Sequence, residues 1–274
     1  MCRRVYDREQ SSLFADEIGR TGQGKIFCKM ANLANIAMLA ELDGAILVDK
    51  PVGISAHDVM KAVKTRFNLV KIGHGGTLDV TASGLFVLLL GDATRFSNDM
   101  MGEDRAYSVE ITLGRETDTG DRAGRTTEGG SDPSSLSRDR LDAVLKEFRG
   151  DIYQSPPEFS AVKIPGKTGY EIVRTAEGDA LREKIVHVFR YTVEEFAPPK
   201  LALSFVATKS ASVRALVRDI GRALGCGAYV EDCRRTRCGM HSVDDALSFM
   251  KLVELHPADF AARLVPKSRL FPSK

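Results

Sequence analysis

The run Leu85–Leu90 (LFVLLL) constrains this chain more than any other stretch. Six consecutive apolar residues leave no polar face, so the segment needs cover on both sides. A bilayer span takes about 20 such residues, so the cover has to come from the protein itself. Its length predicts a buried strand. Gly44–Asp49 (GAILVD), closed by the turn residues Lys50-Pro51-Val52-Gly53, predicts another. Tyr107–Leu113 (YSVEITL) alternates and predicts a strand with one buried face. Ile185–Val193 and Leu201–Ala207 are further strand candidates.

Helical spacing appears between these runs. Ser55 with Asp58 reads as a capping box, opening a helix with Val59, Val63 and Phe67 on one face. Leu141, Val144, Leu145 and Phe148 form a second stripe, with Gly150 expected as its C-terminal cap. A third stripe carries Val213, Leu216, Val217, Ile220 and Leu224, with Arg214, Arg218 and Arg222 on the opposite side. A last helix is expected from Ser242, capped with Asp245. Residues 114–135 read as a long polar loop. Strands mixed irregularly with helices predict an α+β fold: a mixed, largely antiparallel β-sheet flanked by helices and loops. Residues 1–40 lack sustained patterning and are expected to be a poorly ordered extension; residues 41–255 are expected to form the main domain and 256–274 a short C-terminal tail.

Composition narrows the function classes. With 43% hydrophobic and 28% charged residues, the chain fits a soluble globular domain. The five cysteines include no C-x-x-C pair and the five histidines no H-x-x-x-H spacing, so neither a disulfide framework nor a metal centre is expected. No secretory signal is visible, and a cytoplasmic monomer is expected. The net charge of +2 leaves nucleic-acid binding open, because a local basic face matters more than the total. Gly19–Ile26 (GRTGQGKI) nearly matches a phosphate-binding loop, but Ile26 stands where a magnesium-binding hydroxyl is required, so no nucleotide cofactor is expected.

The segment Ile72–Asp79 (IGHGGTLD) holds the chemistry-bearing candidate. Its glycines permit tight turns that can present Asp79 rigidly beside the Leu85–Leu90 strand. On turn chemistry alone, an aspartate making a local hydrogen bond is the more common outcome. Asp118 and Asp121 read as turn residues in the same way.

Gly73-His74-x-Gly76-Thr77-Leu78-Asp79 followed by Ala82-x-Gly84 resembles the signature of the TruB family of tRNA pseudouridine synthases. Other stretches resemble the family in the same order: GAILVDKPVG at 44–53, GDAT at 91–94, Arg105-Ala106-Tyr107, Leu113-Gly114 with Thr117-Asp118-Thr119, and Gln154-Ser155-Pro156-Pro157 with Ser160–Lys163. The resemblance, from about residue 44 to about 240, implies a pseudouridine synthase fold and isomerisation of uridine to pseudouridine in tRNA, at position 55 of the T-loop. It implies Asp79 as nucleophile, Arg214 as its ion-pair partner, Tyr107 as the residue packing on the target base and His74 as a contact for the flipped nucleotide. It implies no cofactor, makes residues 41–255 the catalytic domain, and leaves 256–274 as a tail too short for the small RNA-binding domain that many bacterial members append.

The chain also departs from the family. Ser210, Ala211 and Ser212 replace the usual Gly-Thr-Tyr before the arginine, Cys233 a leucine, Gly75 a threonine and Val80-Thr81 a Pro-Leu pair. Ser212 in particular removes an aromatic ring from the expected pocket. Two alternatives follow from these changes: a tRNA-binding folding aid with weak or no catalysis, and a synthase with another RNA target. Arg218, Arg222, Lys61, Lys64 and Lys71 are candidate phosphate contacts.

Overall fold

The computed structural model describes residues 42–127, 130–155 and 183–271. The expected N-terminal extension and the Pro156–Lys163 part of the resemblance lie outside the described residues. In chain order the elements are β1 (Gly44–Lys50), α1 (Ala56–Arg66), β2 (Ile72–His74), β3 (Ala82–Leu90), α2 (Ser97–Gly102), β4 (Arg105–Leu113), β5 (Glu116–Thr117) and β6 (Thr126–Thr127). There follow α3 (Arg138–Glu147), β7 (Gly150–Gln154), β8 (Lys184–Ala197), β9 (Lys200–Ala207), α4 (Val213–Leu224), β10 (Ala228–Cys238), β11 (His241–Ser242), β12 (Leu247–Ser248), α5 (Phe249–Glu254) and α6 (Pro257–Ala262). The α+β expectation holds, with strand pairs mostly antiparallel.

The chain divides into two compact units, one running to Glu103 and resuming at Arg235, the other spanning Asp104–Arg234. In the first, β3 pairs antiparallel with β1 from Gly84↔Lys50 to Leu90↔Gly44, and with β2 through His74↔Leu88; β12 joins β1 in parallel. Leu85 through Leu90 are at most 1% exposed, as their uniform apolarity requires. Alternation sends Phe86, Leu88 and Leu90 to one face, with Ile46, Val48, Val59, Val63, Phe67, Phe249 and Phe260. Leu85, Val87 and Leu89 go to the other, with Ala45, Leu47, Ala93, Met100 and Leu270.

Ser55 caps α1 by accepting the Asp58 N–H at 3.0 Å, and its hydroxyl donates to the Asp58 carboxylate at 2.6 Å. Beyond Leu255 the chain is built into this unit: Phe260 stacks on Phe67 at 3.8 Å between centroids, and Val265 exchanges two backbone hydrogen bonds with Ala45, each 2.8 Å. The helix expected from Ser242 starts later. Ser242 accepts the Asp244 N–H at 3.2 Å over a single 3-10 turn (Val243–Asp245), and α5 begins at Phe249 under a Ser248 cap.

In the second unit the strand order is β10-β4-β9-β8-β7. Along β4, Arg105, Tyr107, Val109, Ile111 and Leu113 are buried, the alternation the sequence predicts. α3 buries Leu141, Val144 and Leu145, and α4 buries Ala215, Leu216, Val217, Ile220 and Leu224. Gly150 does not cap α3: Phe148 is the C-cap, and Gly150, with φ +92°, opens β7. The polar loop after β4 is partly ordered by the short β5–β6 pair, in register Glu116↔Thr127.

Candidate active site

In the first unit, His74 and Asp79 lie on one loop between β2 and β3. His74 ends β2, half-buried, and its Nδ1 accepts the Gly76 N–H at 3.2 Å, so the neutral ring carries its proton on Nε2. Gly75 donates to Val87 O at 2.9 Å, fixing the loop's entry against β3. At the exit, Ala82 N–H donates to Asp79 O at 3.2 Å, and Gly53 N–H to Val80 O at 2.8 Å. Leu78 is buried while Asp79 is an exposed residue, so an apolar anchor holds the loop down immediately before the aspartate. Gly75 itself has a physical explanation: a Cβ there would sit 2.2 Å from Cγ of the buried Met100. The usual threonine is excluded by this core packing.

The second unit carries Tyr107 and Arg214. Tyr107 is 7% exposed and packs on its cross-strand neighbour Phe205, 5.4 Å between centroids. Arg214 stands on the first turn of α4 and donates from Nη1 to Thr119 O at 2.9 Å. Asp121 orders that loop: it is buried, its Oδ1 accepts from the Thr119 hydroxyl at 2.7 Å and the Ala123 N–H at 3.0 Å, and its backbone O accepts from the Thr117 hydroxyl at 2.7 Å. Spacing alone predicts a turn residue at Asp121. Its burial, which no local pattern signals, makes it part of the support of Arg214.

The approach to α4 is also fixed. Ser212 is the N-cap, accepting the Ala215 N–H at 3.3 Å, and the buried Gln154 grips the Ser212 backbone, accepting its N–H at 3.0 Å and donating to its carbonyl at 3.4 Å. Arg105 donates to Lys209 O at 2.6 Å in the same segment. Ser212 therefore serves the helix in place of the missing ring. Two of the candidate phosphate contacts are committed within the chain: Arg218 to Asp219 at 2.9 Å, and Arg222 to Glu116 at 2.8 Å. Glu116 holds the Arg222 guanidinium above its ordinary pKa. Lys61, Lys64 and Lys71 are exposed. Among the described residues no group of three or more His, Cys, Asp or Glu is placed to hold a metal, and no helix is long and apolar enough to cross a membrane.

The mixed, mostly antiparallel sheet flanked by helices has counterparts of known structure. Solved structures agree: the chain superposes on a protein of a Cbf5-Nop10-Gar1 complex with a TM-score of 0.64 at 26% identity, covering 85% of this chain and 62% of that one. A protein from an H/ACA RNP bound to a substrate RNA containing 2'-deoxyuridine matches with a TM-score of 0.63 at 25% identity, again over 62% of its length. The chain thus spans less than two thirds of these structural relatives.

Residues 64–213 match the N-terminal domain of the TruB family pseudouridylate synthases, and residues 214–263 the tRNA pseudouridylate synthase B C-terminal domain. The tRNA pseudouridine synthase B of Aquifex aeolicus is 37% identical, covering 84% of this chain and 82% of its own. That of Opitutus terrae is 36% identical over 85% and 96% respectively. The chain belongs to the TruB family.

Proposed function

We propose that this protein isomerises uridine to pseudouridine in tRNA, at position 55 of the T-loop, with Asp79 as the nucleophile. The observation that carries the reading is the Asp79 loop: an exposed aspartate on a turn tied to β3 at its entry and closed on itself at its exit, in a chain whose relatives bear the name tRNA pseudouridine synthase B. The N1–C1' bond of the nucleotide breaks, the uracil turns, and a C5–C1' bond forms; N1 gains a proton and C5 loses one. The formula is unchanged, so no cofactor enters. A carboxylate suits the task because it can form an adduct with base or sugar and then leave.

Arg214 pairs with the nucleophile, keeping it ionised and oriented. Tyr107 packs against the target base, and His74 contacts the flipped nucleotide, whose extrusion costs a few kcal/mol. The protein acts as a cytoplasmic monomer, and its buried Cys226, Cys233 and Cys238 accord with a reducing compartment.

Incubation with an unmodified tRNA transcript, followed by site-resolved mapping of pseudouridine, tests the reading. A single product at position 55 is expected. Product only at other sites would favour a different RNA target, the second reading motivated by Ser212 and Cys233; no product at all would favour the folding aid.

A further inference from the structure

We infer that Arg235 is a positioning residue for the reaction, setting the height of the loop that presents Asp79. The inference rests on the proposed role of Asp79. Arg235 is 2% exposed, one of the largest fully buried side chains among the described residues, and it makes no ion pair with any of them. Burying a guanidinium without a carboxylate is costly, so a buried arginine satisfied by backbone carbonyls alone calls for a reason. Its two hydrogen bonds supply one. Nε donates to Leu85 O at 2.7 Å and Nη1 to Thr77 O at 2.9 Å. The first acceptor belongs to the most buried strand of the unit; the second lies two residues before Asp79.

The loop needs such a tie. Its other backbone bonds act at Gly75 and Gly76, near the entry, and at Asp79 and Val80, near the exit. Thr77, in between, is itself exposed, and the Arg235 guanidinium reaches it from the buried side. A guanidinium is suited to this work because its donors form a rigid planar fork, so one side chain fixes the distance between two carbonyls. A lysine ammonium bonds two carbonyls only where both converge on one nitrogen, as Pro51 O and Ile54 O do on buried Lys50 Nζ, each at 2.9 Å. Leu85 O and Thr77 O are instead met by two different nitrogens of Arg235.

Gly84 belongs to the same device. With φ +104°, its missing Cβ would lie 2.3 Å from Arg235 O and 2.8 Å from Arg235 N. The glycine lets the β10 backbone press against β3, which brings the arginine within reach of Leu85 O. The glycines of the segment and the Ala82-x-Gly84 that follows thus serve one purpose: some shape the Asp79 loop, and Gly84 admits the arm that holds it.

Three variants of the full chain test this, with single-turnover rate and tRNA affinity measured separately. Arg235→Lys keeps the charge and most of the stem. It should fold, bind tRNA within about twofold of the parent, and isomerise at least about tenfold more slowly, as lost positioning requires. In amide exchange, the 75–81 segment of Arg235→Lys should exchange faster than in the parent while β1 does not. Arg235→Ala should be slower still and regain rate on addition of guanidinium at millimolar concentration, which a merely structural defect would not.

Parental rate in Arg235→Lys would overturn the inference, as would a slow variant with unchanged loop exchange, or one whose loss lies in tRNA affinity alone. If Arg235→Ala does not fold, the lysine variant still decides. Asp79→Asn, run alongside, separates the two claims: if it keeps activity, the nucleophile assignment fails, whereas the exchange result reports on the tether regardless.

Discussion

Asp79 and its neighbours show how much one residue's surroundings decide. The glycine pattern was legible because turns need it, and the resemblance singled out the aspartate. The partners that fix the loop were not legible. Arg235 lies far along the chain and sits in Cys-Arg-Arg, where either arginine reads as a surface charge; only burial distinguishes it. The same holds for Asp121, a turn residue by spacing and a buried acceptor by fold. Gly75 gives a residue-scale prediction. Gly75→Ala drives a Cβ into Met100, so it should destabilise the protein by about 1–3 kcal/mol, the usual cost of overpacking a core. Chemical denaturation checks this, and combining it with Met100→Ala should recover part of the loss. A Gly75→Ala protein as stable as the parent would mean that the packing does not exclude a side chain there.

At the scale of elements, apolar pattern read well and caps read unevenly. β1, β3, β4, β8 and β9 appear where uniform or alternating apolar runs placed them, because burial on one or both faces leaves few other conformations. The expected caps at Gly150 and Ser242 fell short because the same residue types also open strands and 3-10 turns; local chemistry does not say which. α4 shows the reverse. Its apolar stripe was clear, but Ser212, read only as a lost tyrosine, is its N-cap. Ser212→Ala should therefore cost about 1 kcal/mol, as helix caps generally do. Gln154→Leu should cost more, about 2–4 kcal/mol, because it strands both a backbone N–H and a carbonyl of Ser212. Thermal unfolding of the two variants ranks them; a larger loss for Ser212→Ala would show that the Gln154 grip is weak. Since Arg214 follows two residues later, Gln154→Leu should also slow isomerisation more than Ser212→Ala does.

For the molecule as a whole, the sequence predicted one catalytic domain followed by a tail, whereas the fold consists of two compact units with residues 257–270 packed into the first. Composition does not mark this division, because neither boundary, at Glu103/Asp104 or at Arg234/Arg235, falls in a Gly-, Pro- or Ser-rich stretch. The closing segment has a titratable contact. His241 is buried with Nε2 3.3 Å from Leu270 O, and burial pushes its imidazole below the ordinary value near 6.5. The unfolded chain then binds the proton more readily than the folded one. The stability contribution is whole above the unfolded pKa and is lost as pH falls through the lowered folded pKa. Unfolding free energy measured from pH 8 to pH 5 should decline on the acid side, and His241→Gln should flatten that decline; an unchanged slope would assign it to other groups.

The central claim, that Asp79 of this TruB family chain is the nucleophile of a uridine isomerase, meets its most direct test in the hydrogen that leaves C5. With tRNA tritiated at uridine C5, the parent protein should release one equivalent of tritium per tRNA. Asp79→Asn, with tRNA binding intact, should release it slower by about a thousandfold or more, as loss of a covalent nucleophile demands. Release by Asp79→Asn at a rate near the parent's would contradict the account.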